Sequence, residues 1–448
     1  MPRSLFVDAA VTQEDLRFKR DFANINCRFI RSITKTTVKR KEKQGMNFAP
    51  MPLSEDLIHI ITSLTDAGYR ADVVGGAVRD HLIGRQSYDH DITTSATPEE
   101  VKRVFAGERI VDTGIKHGTV TLVLGGLPYE ITTWRVDGSY LDNRHPESVS
   151  FTRSLEEDLA RRDFTVNAMC YNPTDGYTDI FGGASDIEAG IIRAVGEPAR
   201  RFTEDALRIM RALRFCATLG FSMDVATADA ARSLSHLLNN VSAERIYAEL
   251  KKLIASDFAY EALVEYGDIL LTVLPELGAI VLPERDKFKA ASPMQRLLSL
   301  FILGSTDPGS AFSRAMCRLK TDSSVRRLGE GALGALFAML DAPLTARFDA
   351  LKLLSVYGAD AVLCAAELAE LTDRASDSEI ALVRSAVSSG VPYKISELKI
   401  SGNDLAALGF AGRGIGEALS RLLEGVMAGE CENSLESLSL MARSIENN

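Results

Sequence analysis

Cysteine is sparse and never clustered: six residues, at positions 27, 170, 216, 317, 364 and 431, form no CxxC pair. This argues against a zinc cluster or a disulfide scaffold and fits a reducing cytoplasm, with the thiols acting as small core residues. No uninterrupted apolar run approaches the roughly 18 residues of a membrane span, so no membrane partner is expected. A clean internal repeat is missing, which argues against a solenoid. Overall positive charge is missing too. The formal net charge is −10, so composition does not advertise a nucleic-acid binder.

The charge is unevenly spread. Residues 1–45 carry 11 Lys/Arg and 5 Asp/Glu, a net of +6, which leaves −16 for the remainder. A local basic groove would still suffice for RNA phosphates. The 1–45 segment shows no sustained period and ends in "KTTVKRKEKQG". It reads as a dispensable leader, disordered or upstream of a functional start at Met46. An RNA-touching arm and a transit peptide are the other readings, and Glu14, Asp15 and Asp21 count against the latter.

With 448 residues, 46% apolar and 25% charged, the chain has room for two to four soluble domains. Helical periods at 57–64, 77–82 and 98–105 alternate with strand-like runs at 71–74, 89–93, 119–124 and 129–135. That alternation predicts an α+β domain with a small mixed sheet over 46–185. Beyond Gly182 the strands fade and helical spacing dominates to the end.

The segment "VVGGAVRDHLIGRQSYDHDI" (73–92) raises the chemical question. In a strand, Asp89 and Asp91 share one face about 6–7 Å apart, while His90 turns away as a packing or hydrogen-bonding residue. Two readings stand for the pair: solvated acids on an edge, or carboxylates that hold one or two Mg²⁺ ions. Gly75-Gly76 ends a strand and opens a helix, where backbone N–H groups favour a phosphate, and Arg79 sits on its first turn. Asp80 reads as a local anchor. The turn lacks the Lys-Ser/Thr ending of a P-loop, so it is not an ATPase loop of that kind. Glu130, in "YEITTWR", is either a third carboxylate or a structural residue.

Two further stretches carry polar chemistry. In "RRDFTVNAM" (161–169), Arg162 suits triphosphate oxygens, and Asp163 with Asn167 suits ribose hydroxyls. In "TEDALRIMRALRF" (203–215), Thr203 reads as the N-cap, and Ala206, Ile209, Met210 and Leu213 form an apolar stripe. Asp205, Arg208, Arg211 and Arg214 step by three along the opposite face. One reading is a solvated helix with an Asp–Arg pair at i, i+3. The other is a base-reading edge, on which Asp205 accepts the amino group of cytosine or adenine and Arg208 donates to the adjacent ring nitrogen. Guanine and uracil present the reverse pattern, and each unpaired group would cost about 1–3 kcal/mol.

Taken with "DIFGGASDIEAGIIRAVGEPARRF" and "ERIYAELKKL", these stretches resemble the bacterial class II CCA-adding tRNA nucleotidyltransferases of the tRNA nucleotidyltransferase/poly(A) polymerase family, from about residue 73 to 254. The resemblance implies a polymerase-β-like head (46–185), then an all-α neck with a base-selecting helix (186–258), body (259–375) and tRNA-binding tail (376–448). It implies addition of C, C and A to the tRNA 3′ end from CTP and ATP with Mg²⁺, in a monomer or homodimer. By motif, Asp89 and Asp91 would hold the metal, and Gly76, Arg79, Arg162, Asp205, Arg208, Arg211 and Arg214 would bind nucleotide. The stretch "VDGSYLDNRHPESVSF" (136–151) resembles the segment used for switching from C to A. No His-Asp phosphohydrolase signature is present. In the tail, Ala411-Gly412-Arg413 stands where a Pro-Gly pair is common in the family. A poly(A) polymerase of the same family is the nearest rival, although its extra Arg-rich motif and basic tail are not found. An RNA-binding protein without catalysis is the rival from another class. Deletion of residues 1–45 is expected to leave nucleotide incorporation nearly intact; a large loss would support the RNA-arm reading.

Overall fold

The computed structural model describes residues 48–87, 90–137 and 149–446. The basic leader, Asp89 and most of the 136–151 loop fall outside these residues. Residues Pro50–Asn448 group as one unit by internal contacts.

Helix α1 (Glu55–Asp66) starts at Ser54, whose hydroxyl accepts the Leu57 N–H at 3.3 Å. It buries Leu57, Ile60, Ile61 and Leu64, one stripe at helical spacing. Strand β1 (Ala71–Val74) leads through Gly75 into α2 (Gly76–Leu82), and β2 (Asp91–Thr94) follows. Helix α3 (Pro98–Val104) opens with Pro98 and a reciprocal Thr97–Glu100 capping box. Strands β3 (Arg109–Gly114), β4 (Thr119–Leu124) and β5 (Leu127–Thr133) form a meander, and β5 then lies parallel to β2. The short pair β6 (Arg135–Asp137) and β7 (Val149–Phe151) leads to α4 (Leu155–Ala160).

Strands β8 (Met169–Asn172) and β9 (Gly176–Asp179) complete a mixed seven-stranded sheet of order β3-β4-β5-β2-β1-β8-β9. The sequence reading anticipated β1, β2, β4 and β5 but not β3, β8 or β9. β3 is an edge strand carrying Arg109 and Asp112, and β9 carries mostly polar residues.

From α5 (Gly183–Ala189) onward helices dominate, interrupted by the two-residue parallel pair β10 (Ile191–Ile192) and β11 (Ser222–Met223). Helices α6 (Pro198–Glu204), α7 (Leu207–Leu219), α8 (Val225–Ser233) and α9 (Ala243–Ala255) follow, and further helices run to Leu435–Glu446. A continuous apolar cluster extends from Phe164 through Met210, Leu250, Phe301 and Leu336 to Ala442, so the helical array shares a core with the foot of the sheet region. Arg296 is buried and makes no salt bridge among the described residues. Its guanidinium donates to four carbonyls, those of Ile254, Ser256, Phe288 and Lys289, at 2.6–3.1 Å. It thereby satisfies the end of α9.

Gly183 shows how the sheet region fixes the later site. A Cβ there would stand 2.2 Å from the Thr165 carbonyl oxygen, so only glycine lets α5 press against the 165–167 turn. The Thr165 hydroxyl donates to Asp186 at 2.7 Å and locks the same contact. Gly183→Ala is expected to destabilise the sheet region by about 1–3 kcal/mol, as other overpacked sites do. Urea unfolding followed by near-UV circular dichroism checks this; an unchanged midpoint would contradict it.

Candidate active site

A cavity of about 410 Å³ opens where the β1–α2 turn, the 161–167 segment and α7 converge. Its wall carries five arginines, Arg79, Arg161, Arg162, Arg208 and Arg211, and three aspartates, Asp91, Asp163 and Asp205. Gly75 and Gly76 complete one side. Gly75 has φ +77°, a left-handed conformation, and a Cβ there would come within 3.3 Å of the Arg162 guanidinium. Helix α2 is only seven residues long, so the arginines and not its dipole dominate the local field.

Arg79 is buried. Its Nε and Nη2 donate to Asp80 Oδ1 at 2.9 and 2.7 Å, and its Nη1 donates to Asn167 Oδ1. Asp80 is therefore an anchor, as expected from the sequence. Behind Arg161 and Arg162 lies Asp158 on α4, fully buried, at 2.7 and 3.3 Å from their Nη2 atoms. The Thr93 hydroxyl of β2 donates to the same carboxylate at 3.2 Å. Burial pushes the Asp158 carboxyl up, but the two guanidiniums outweigh it and hold the group below the usual range. Sequence reasoning missed Asp158 and did not single out Arg161. The signal was present in "DLARR", which places arginines three and four residues after an aspartate.

Asp163 and Asn167 line the cavity and are also bonded within the protein. Asp163 Oδ1 accepts the Phe164 N–H at 2.8 Å and Asn167 Nδ2 at 3.1 Å. Its Oδ2 accepts Arg211 Nε at 2.8 Å and Arg211 Nη2. Burial raises this carboxyl, yet Arg211, Asn167 and the Phe164 N–H together hold it at about 2. Arg211 and Arg79 also lie 5.4 and 5.2 Å from the centroid of the Phe215 ring, another cavity residue missed from sequence. Arg214 stacks on the same ring at 3.9 Å and pairs with Glu249 of α9, and it does not line the cavity.

The helix read over 203–215 is in fact broken. Thr203 belongs to α6, where its hydroxyl donates to the Ala199 carbonyl, and it caps nothing. Asp205 has extended backbone (φ −141°, ψ 102°), and its carboxylate accepts the Leu207 N–H at 3.1 Å. The apolar stripe is borne out: Ala206, Ile209, Met210 and Leu213 are buried. The solvated opposite face is not, because Arg208 is only 8% exposed. Arg208 donates to Glu204 at 3.1 Å and to the Arg201 and Arg161 carbonyls at 3.1 and 2.9 Å. Asp205 pairs with Arg245 of α9. Asp205 and Arg208 thus face one cavity, joined through the Arg208 N–H and the Asp205 carbonyl at 3.0 Å, while their side chains are held by different partners.

Asp91 opens β2 and lines the cavity, while Asp89 lies outside the described residues. Ile92 stands opposite Ile131 on the parallel strand β5, which puts Glu130 one residue before that pair, as Asp91 is. Glu130 does not line the cavity. Among the described residues no group of three metal-ligating side chains occurs. A carboxylate at the mouth of an arginine-walled cavity nonetheless offers the hard oxygen ligand that Mg²⁺ prefers.

A family profile described as "Poly A polymerase head domain" matches residues 71–193, and one described as "Probable RNA and SrmB- binding site of polymerase A" matches 220–280. A CCA-adding enzyme from Lactobacillus delbrueckii subsp. bulgaricus is 36% identical over 392 residues, which span 85% of this chain and 95% of that one. One from Geobacillus thermodenitrificans is 50% identical over 228 residues, 51% of this chain and 56% of that one, so this stronger match spans about half of each. The crystal structure of the Bacillus stearothermophilus CCA-adding enzyme in complex with CTP is similar at a TM-score of 0.70 and 33% identity, covering 88% of this chain and 97% of that one.

Asp163→Asn should leave Arg211 with only the more distant Glu249 as counter-charge and cost about 2 kcal/mol, below the 3–5 kcal/mol of a fully buried pair because Arg211 is partly exposed. The folded-state value is depressed, so the carboxylate's contribution is present above about pH 4 and is lost as pH falls through about 2. The stability gap between wild type and variant, measured by urea unfolding, should be flat from pH 5 to 8 and close only in strong acid. A gap that varied across neutral pH would contradict the assignment.

Proposed function

The chain belongs to the CCA-adding enzymes, nucleotidyltransferases acting at the tRNA 3′ end, and from that premise we propose that the cavity adds C, C and A stepwise from CTP and ATP. The observation that carries this reading is the convergence of Asp91, the arginine wall and the Asp205–Arg208 edge on one cavity. Arg161 and Arg162 suit the triphosphate, because their guanidiniums are already oriented by Asp158 and pair well with phosphate oxygens. Arg79 and Arg211 add positive charge from below and beside them.

Asp205 accepts the amino hydrogen of cytosine or adenine, and Arg208 donates to the neighbouring ring nitrogen. Both side chains are held from behind, so the protein edge stands in for a template strand. Uracil and guanine would oppose carbonyl to carboxylate and N–H to N–H, leaving buried groups unpaired. The tRNA 3′-hydroxyl attacks the α-phosphorus in line, a bond to the new nucleotide forms, and pyrophosphate leaves. No protein nucleophile is needed. Asp91, with Asp89, would hold Mg²⁺, which when bound neutralises phosphate charge and favours ionisation of the hydroxyl. Unpaired cysteines and a tRNA substrate support a cytoplasmic setting. No helix among the described residues is long and apolar enough to cross a membrane.

Extension of a tRNA ending at the discriminator base tests the reaction. CTP alone should add two residues, and CTP with ATP should complete CCA. Long A tracts from ATP alone would favour a poly(A) polymerase. Asp91→Ala should lower incorporation at least about 100-fold, in the range seen when a catalytic charge stabiliser is removed; no effect would favour a non-catalytic RNA binder. Arg208→Ala should relax base choice, with discrimination against UTP falling about 10-fold or more. Unchanged rejection of UTP and GTP by that variant would refute the base-reading edge.

A further inference from the structure

We propose that Arg245 is a positioning residue for base selection, acting through Asp205 and not by touching the nucleotide. This rests on the reading of Asp205 as the base acceptor. Arg245 sits on the first turn of α9, 40 residues from Asp205 in sequence, and does not line the cavity. Its Nη2 donates to Asp205 Oδ2 at 3.1 Å and reaches Oδ1 at 3.4 Å. Oδ1 also accepts the Leu207 N–H at 3.1 Å. These contacts fix the plane of a carboxylate that sits on extended backbone at the junction of α6 and α7.

The grip is asymmetric. Arg245 Nη1 is shielded from solvent and has no hydrogen-bond partner among the described residues. A fork-to-fork pair would use both guanidinium nitrogens and both carboxylate oxygens. Here one nitrogen serves both oxygens, and the Leu207 N–H shares Oδ1. Of about four acceptor positions on a carboxylate, three are used, and one remains for an amino group. The unpaired Nη1 is thus the counterpart of an acceptor position left for the base. Arg208 is held independently by Glu204 and two carbonyls. The two halves of the edge are therefore set from different elements, the carboxylate from α9 and the guanidinium from α6 and Arg161.

The test compares kcat/KM for CTP, ATP, UTP and GTP on the full-length enzyme with Arg245→Gln, Arg245→Lys, Asp205→Asn and the Arg245→Gln/Asp205→Asn double variant. The Gln variant is expected to lose about 10-fold of its CTP-over-UTP preference, the scale of one misdirected hydrogen bond. Lys, a point charge without the fork, should fall between Gln and wild type. In the double variant, Arg245→Gln should add nothing to the selectivity loss of Asp205→Asn. An equal loss for all four nucleotides would mark a merely structural arginine and overturn the proposal, as would additive selectivity losses. Should the Gln variant not fold, Lys decides: wild-type selectivity there contradicts the proposal, and partial loss supports it. Wild-type selectivity in Asp205→Asn would instead overturn the base-reading role of Asp205 itself.

Discussion

Five guanidiniums around one cavity repel one another, and the site depends on the acceptors placed behind them. Asp158 holds Arg161 and Arg162, Asp163 holds Arg211, Glu204 holds Arg208, and Asp80 with Asn167 holds Arg79. Each arginine is thereby fixed in direction before any ligand arrives. An arginine can do this because its fork has five donors, enough to bond the protein on one side and an anion on the other. Lysine has no second planar edge to offer.

The same arrangement explains why the cavity needs parts of the chain far apart in sequence. The acceptors come from α2, α4, the 163–167 turn and α6, while α9 supplies Arg245 and Glu249. The sheet brings the first three together through β1, β2 and β8, and the apolar cluster beginning at Phe164 seats α7 and α9 against them. Preorganisation of this kind lowers the ordering cost of binding a triphosphate.

Much of the sheet region was readable because glycines and alternating apolar residues punctuate it. Ala71–Val74 and Thr119–Leu124 are found at the limits the pattern indicated. Residues Gly76, Arg79, Arg162, Asp205, Arg208 and Arg211 do converge on one cavity with Asp91, as the motif spacing suggested. The break at Asp205 was not readable. "TEDALRIM" carries an unbroken helical period, and the extended backbone there is accompanied by tertiary contacts from Arg245 that no local pattern announces. The step of three left Arg208 open to a solvated-face reading beside the base-reading one, because its cover by α6 and the end of the Arg161 segment has no local signal. Asp158 escaped notice because a buried carboxylate and a surface helix acid look alike in sequence.

The central claim is that a protein edge made of Asp205 and Arg208 selects the base. A crystal structure of the enzyme with CTP tests it most directly. The expected density places the cytosine amino nitrogen about 3 Å from the Asp205 carboxylate, with the ring nitrogen toward Arg208 and the triphosphate against Arg161 and Arg162. Cytosine turned to solvent, or lodged away from both side chains while the phosphates remain bound, would contradict it.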